Sequence, residues 1–203
     1  MADRFEGKFG YIEPLPEEIR EAFMWLAHDV VALHRKWDLY LGLFGKPESF
    51  QVVTQLPQPF NLIEESLRTD ITMLIGRLSD SAKFGKDENI SFRALLEFYS
   101  DDGTLEQLVA DFVQNCKPVT QNRHKLVAHT DKLAKLSADQ AMIPQIKKSD
   151  IDAINQKAQK IIKHVALTKT GHDYGFGWEG DGGAGALIYW LKKGLDNRIP
   201  RME

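Results

Sequence analysis

The chain has a single cysteine, Cys116, among 203 residues. A lone thiol excludes an intrachain disulfide framework and fits a reducing compartment. No apolar run reaches transmembrane length, and no basic-then-apolar signal segment opens the chain. The expectation is a cytoplasmic protein with no membrane partner. Strand-like alternation is scarce, and tandem repeats and low-complexity tracts are missing.

What is present is the composition of a soluble globular protein, with 43% hydrophobic and 27% charged residues. The length suffices for one domain with its own core. The net charge of −3 hides an asymmetry. Residues 1–116 carry 11 Lys and Arg against 20 Asp and Glu, a net of −9; residues 117–203 carry 15 against 9, a net of +6. A locally positive surface favours a phosphate-bearing partner through attraction and counterion release. The ordinary alternative is a set of solvated lysines on helix faces.

The pattern along the chain predicts an all-α, up-down helical bundle in one domain spanning 1–203. Residues 1–15 read as an arm, 16–168 as the bundle, and 169–203 as a glycine-rich segment with a last short helix. Pro16 is expected at the first position of a long helix ending near Leu43, whose apolar residues recur by threes and fours. Residues 45–59 read as a loop or short irregular piece, with Pro57 and Pro59 before the next element, and 60–82 as a second helix, followed by a turn at 83–89. Ser91 or Asn89 caps a third helix to about Tyr99. A fourth runs to about Cys116, and Pro118 opens a fifth. Ser149 and Asp152 form a capping pattern for a sixth helix to about Leu167. The last helix is expected over 186–193, ended by Gly194.

The most distinctive stretch is Asn122-Arg123-His124-Lys125-Leu126-Val127-Ala128-His129-Thr130-Asp131. It places an arginine and two histidines within seven residues. Histidine exchanges protons near neutral pH, and the arginine fork fits phosphate. Phosphodiester chemistry without a metal needs such a proton carrier and such a cation. The stretch resembles the signature of the HEPN domains: an arginine, a polar residue, and a histidine after a spacer of four to six residues. The tail Ala128-His129-Thr130-Asp131 is similar to the abortive-infection subgroup of the AbiU type. Two upstream segments are similar to that subgroup as well: Ile75-Gly76-Arg77-Leu78-Ser79-Asp80 and Asn89-Ile90-Ser91-Phe92-Arg93-Ala94-Leu95-Leu96.

The resemblance implies a metal-independent endoribonuclease of phage defence or a toxin–antitoxin system, cleaving RNA by 2′-hydroxyl attack. His129 would be general base or acid, Arg123 would hold the scissile phosphate, and His124 would support either role. Lys125, Arg77 and Asp80 are candidate substrate-binding residues, with Asp80 also able to orient a histidine. Arg77 and Asp80, three apart, can equally form a surface ion pair. Six residues along an ideal helix set Arg123 and His129 roughly 120° apart. One substrate then meets both only if the helix bends or a second copy contributes, and HEPN domains commonly dimerise with two motifs lining one cleft. The partners implied are a second copy, RNA and an antitoxin protein. The alternative is a non-catalytic helical module binding a partner protein or nucleotide.

Neither a metal nor a cofactor is expected. His124 and His129 are five apart, which does not suit helical metal ligation. Gly175-Phe176-Gly177-Trp178-Glu179-Gly180 has the letters of a dinucleotide fingerprint but follows a helix rather than a strand. It reads as a connector with Tyr174 and Trp178 as packed aromatics, the alternative being a mobile loop that closes over the cleft and stacks those two rings on a base. His28, His34, His164 and His172 read as core or surface histidines, and Cys116 as a buried inert thiol.

Overall fold

The computed structural model describes residues 14–123, 146–176 and 183–196. Among them the chain is an all-α helical bundle with one minimal hairpin. The helices are α1 (Glu17–Phe44), α2 (Pro47–Val53), α3 (Pro57–Ser79), α4 (Phe92–Phe98), α5 (Gly103–Asn122), α6 (Lys148–Thr170) and α7 (Gly183–Asp196). The hairpin pairs β1 (Lys83–Phe84) antiparallel with β2 (Asp87–Glu88), inside the expected turn.

Prolines account for most differences from the expected boundaries. Pro16 stands just outside α1, and its carbonyl accepts the N–H groups of Ile19 and Arg20 at 3.1 Å each. Residues 45–59 are not a loop. Pro47 and Pro57 open α2 and α3, where the first N–H groups have no intrahelical acceptor, so a missing donor costs nothing.

Pro118 lies inside α5 and does not start a new helix. The buried residues Leu105, Val109, Phe112, Cys116 and Val119 keep one continuous stripe across it. Burying that stripe outweighs the single backbone bond the proline forfeits.

Two caps also differ. α6 is entered through the Lys147 N–H, which donates to Asp150 at 2.8 Å, rather than through Ser149 and Asp152. α7 starts earlier than expected and passes through Gly194, because Ile188, Leu191 and Leu195 pack into one core. Ser91 caps α4 as expected, accepting the Ala94 N–H.

The chain divides into two compact units: Met1–Leu33 with Thr72–Phe176, and His34–Ile71 with Gly177–Glu203. In the first, α5 packs on α4 and on α6. Phe92 and Phe112 meet edge-to-face at 5.0 Å, and the α6 stripe of Ile151, Ile154, Ala158, Ile161, Ile162 and Val165 is buried. Leu15, at the end of the expected arm, is buried too. In the second unit, Leu43, Val52, Val53, Phe60 and Ile188 form the core. Gly42 lies so close to the Ala184 side chain that a Cβ there would overlap it, so α1 and α7 touch nearly backbone to backbone. No helix among the described residues is long and apolar enough to cross a membrane.

Candidate functional site

Arg123 is the residue that follows α5. Its backbone stays helical, and its N–H donates to Val119 and Thr120 carbonyls. Its side chain reaches back past the end of α3 and meets Asp80, the residue after that helix, in a two-pronged pair, with Nη1 to Oδ2 at 3.1 Å and Nη2 to Oδ1 at 2.9 Å. Fork-to-carboxylate pairing fixes the guanidinium plane as well as its position. The side chain is only 12% exposed, against 33% for Asp80. Gly76 makes room for it: a Cβ there would overlap Nη1, come within 2.5 Å of Cδ and within 2.8 Å of Cζ of Arg123. The last turn of α3 thus supplies the gap, and the residue just after it the carboxylate.

Beside this pair lies an open cleft of about 430 Å³. It is lined by Trp25, His28 and Asp29 of α1, Arg77 of α3, Asp80 just after it, and Glu88, Asn89 and Ile90 around the end of the hairpin. Asp29 accepts Arg77 Nη2 at 2.9 Å, a pair joining the two helices across the cleft. Asn89 Nδ2 donates to the Ser81 carbonyl and fixes the hairpin's return. Three carboxylates face one arginine and one histidine here. This wall comes from the acidic half of the sequence, whereas Arg123 belongs to the basic half.

The structure therefore brings together Arg123, Asp80 and Arg77, three of the six candidate residues. His124, Lys125 and His129 lie outside the described residues, as does most of the 175–180 glycine stretch. The pairing expected between Arg77 and Asp80 is replaced. Asp80 takes Arg123 and Arg77 takes Asp29, because each finds a partner that a neighbouring helix brings beside it. Sequence reading gave no site role to Trp25, Asp29 or Asn89. The one available signal was Asp29, an acid directly beside the buried Val30 on the apolar stripe of α1.

A second polar cluster was also missed. Asp102 caps α5 by accepting the Leu105 N–H at 2.9 Å. It also takes His164 Nε2 and Lys169 Nζ at 3.0 Å each, and that ammonium lies 4.6 Å from the Tyr99 ring centroid. His164, read as a core or surface histidine, is therefore a hydrogen-bond partner 62 residues from its carboxylate. The Leu105 N–H first, then Lys169 and His164, hold the Asp102 carboxyl far below the usual carboxylate range, against the opposing effect of burial.

A carboxyl lowered on folding contributes stability above its unfolded value, near ~3.9, and loses it as pH falls through the folded value. Asp102→Asn keeps a capping side chain and removes the charge. Its deficit in urea unfolding should be about 1–2 kcal/mol near neutral pH and shrink steadily below about pH 4. An unchanged deficit in acid would mean the charge contributes nothing.

Cys116 is fully buried, and burial pushes its thiol up to about 12, opposed by a hydrogen bond with Ser79. That agrees with an inert thiol. No group of three or more potential metal ligands occurs among the described residues. No protein-family model matches the chain, and comparisons with curated proteins and with solved structures returned no match.

Proposed function

We propose that the chain is an endoribonuclease of the HEPN type, acting without a metal in phage defence or a toxin–antitoxin system. The observation that carries this reading is the Arg123–Asp80 pair seated over Gly76. Segments 75–80 and 122–131 resemble abortive-infection HEPN proteins separately, and they meet atom to atom at positions 43 apart.

In this reading Asp80 is a positioning residue. It occupies one edge of the guanidinium fork, so a phosphate approaches Arg123 along the remaining N–H groups. A base, His129 or His124, takes the proton of the ribose 2′-hydroxyl. The 2′-oxygen bonds to phosphorus, charge builds on the phosphoryl oxygens, and Arg123 stabilises it. The 5′-oxygen then leaves with a proton from the second acid, giving a 2′,3′-cyclic phosphate and a 5′-hydroxyl. Lys125 and Arg77 supply further phosphate contacts. A homodimer supplies two such motifs to one cleft.

One observation favours the other reading, a non-catalytic module for a partner protein or nucleotide. Arg123 is nearly buried with its charge matched, and the adjoining cleft is rich in carboxylates that repel phosphate. Asp80→Ala separates the two. As a nuclease, the variant should lose roughly 10- to 100-fold in RNA cleavage while melting only a few degrees lower, because it loosens Arg123 without removing it. As a structural node, the native chain cleaves no RNA and Asp80→Ala costs stability alone.

A further inference from the structure

The helix α7 has one face in the core of its unit, formed by Ala184, Ile188, Leu191 and Leu195. At about 100° per residue, Tyr189, Trp190 and Lys193 span roughly 100° on the opposite face. Tyr189 is 52% exposed and Trp190 is 68% exposed. The two rings stand edge-to-face with centroids 5.3 Å apart, and Lys193 Nζ lies 5.5 Å from the centre of the Tyr189 ring. Lys192, also exposed, adds a second ammonium at the flank, and the two cations outnumber the one exposed carboxylate of α7, Asp196, which lies one turn from both. Large aromatic rings left in water beside cations mark a contact surface.

We propose that this face of α7 binds single-stranded RNA, with bases stacking on Trp190 and Tyr189 and phosphates meeting Lys192 and Lys193. The inference rests on the ribonuclease reading and gives that enzyme a holding surface in the unit that does not carry Arg123.

Charge decides among possible occupants. A two-fold contact through this face would gather Lys192 and Lys193 of both copies into one interface, and like charges brought together repel. A membrane-surface helix turns its apolar stripe to lipid, whereas the stripe of α7 is spent on the protein core. Single-stranded nucleic acid offers what the face lacks: a flat π-surface on every base and a negative charge on every linkage.

The test is binding of the full chain to a short fluorescein-labelled single-stranded RNA with 2′-O-methyl riboses, which 2′-hydroxyl attack cannot cleave. Trp190→Ala should weaken binding roughly tenfold, and Trp190→Phe should restore most of it. Replacing Lys192 and Lys193 together by glutamine should flatten the salt dependence by about 1.4 in logarithmic slope. All three variants should keep the native melting temperature. Unchanged affinity in Trp190→Ala overturns the proposal. So does a variant that keeps RNA affinity but loses self-association or binding to anionic phospholipid vesicles. Cleavage of unmodified RNA, run beside it with Arg123→Ala, reports on the nuclease reading separately, so either idea can fail alone.

Discussion

Arg123→Ala is expected to lower RNA cleavage by about 10²- to 10³-fold, because removing one preorganised donor to a developing oxyanion costs about 3–4 kcal/mol. The fold should survive. The loss leaves Asp80 without its partner, but a third of that side chain is exposed, so water replaces most of the lost bonds. The stability cost should be no more than about 1–2 kcal/mol. Arg123→Lys should not rescue activity, because an ammonium cannot grip Asp80 with two parallel bonds and present further donors in the same plane. Single-turnover cleavage beside thermal unfolding separates these effects. A lysine variant at native rate would mean that charge alone matters and the fork geometry does not.

Gly76→Ala should cost nearly as much activity while leaving every charged group in the protein. The new methyl group occupies the space where the Arg123 guanidinium lies against α3. The far end of a flexible side chain can swing aside, so the backbone need not move. The penalty is the Asp80 pair, which opposes a gain of up to about 1 kcal/mol from replacing glycine in a helix. Net stability should therefore change little, within about 1 kcal/mol either way. Cleavage should fall at least about tenfold through misplacement of Arg123. A fully active Gly76→Ala protein would show that Arg123 works from a position other than the one against α3.

These residues also indicate what a sequence can convey. Apolar spacing located α1 and α3, because burial of a stripe is written in the chain at a fixed period, and capping residues marked α4 and α6. It did not tell a helix-opening proline from a helix-ending one at Pro47 and Pro57. At Pro118 the local signal pointed the wrong way, since the stripe from Leu105 to Val119 runs through it. Segment 75–80 was legible only as a resemblance. Its physical content, a gap at Gly76 and a carboxylate at Asp80 fitted to Arg123, requires knowing that α3 and the end of α5 are neighbours. The Asp29–Arg77 and Asp102–His164 pairs were illegible for the same reason. Polar pairs between elements depend on tertiary contact, and spacing along the chain does not encode it.

The central claim is that this chain cleaves RNA through its Arg/His motif by 2′-hydroxyl attack. The most direct measurement is incubation of the purified chain with RNA in excess EDTA, with end-group analysis of the products, beside a folded His129→Ala variant. The account predicts fragments ending in 2′,3′-cyclic phosphate and 5′-hydroxyl from the native chain and none from His129→Ala. Fragments with 3′-hydroxyl ends, or equal cleavage by His129→Ala, would contradict it.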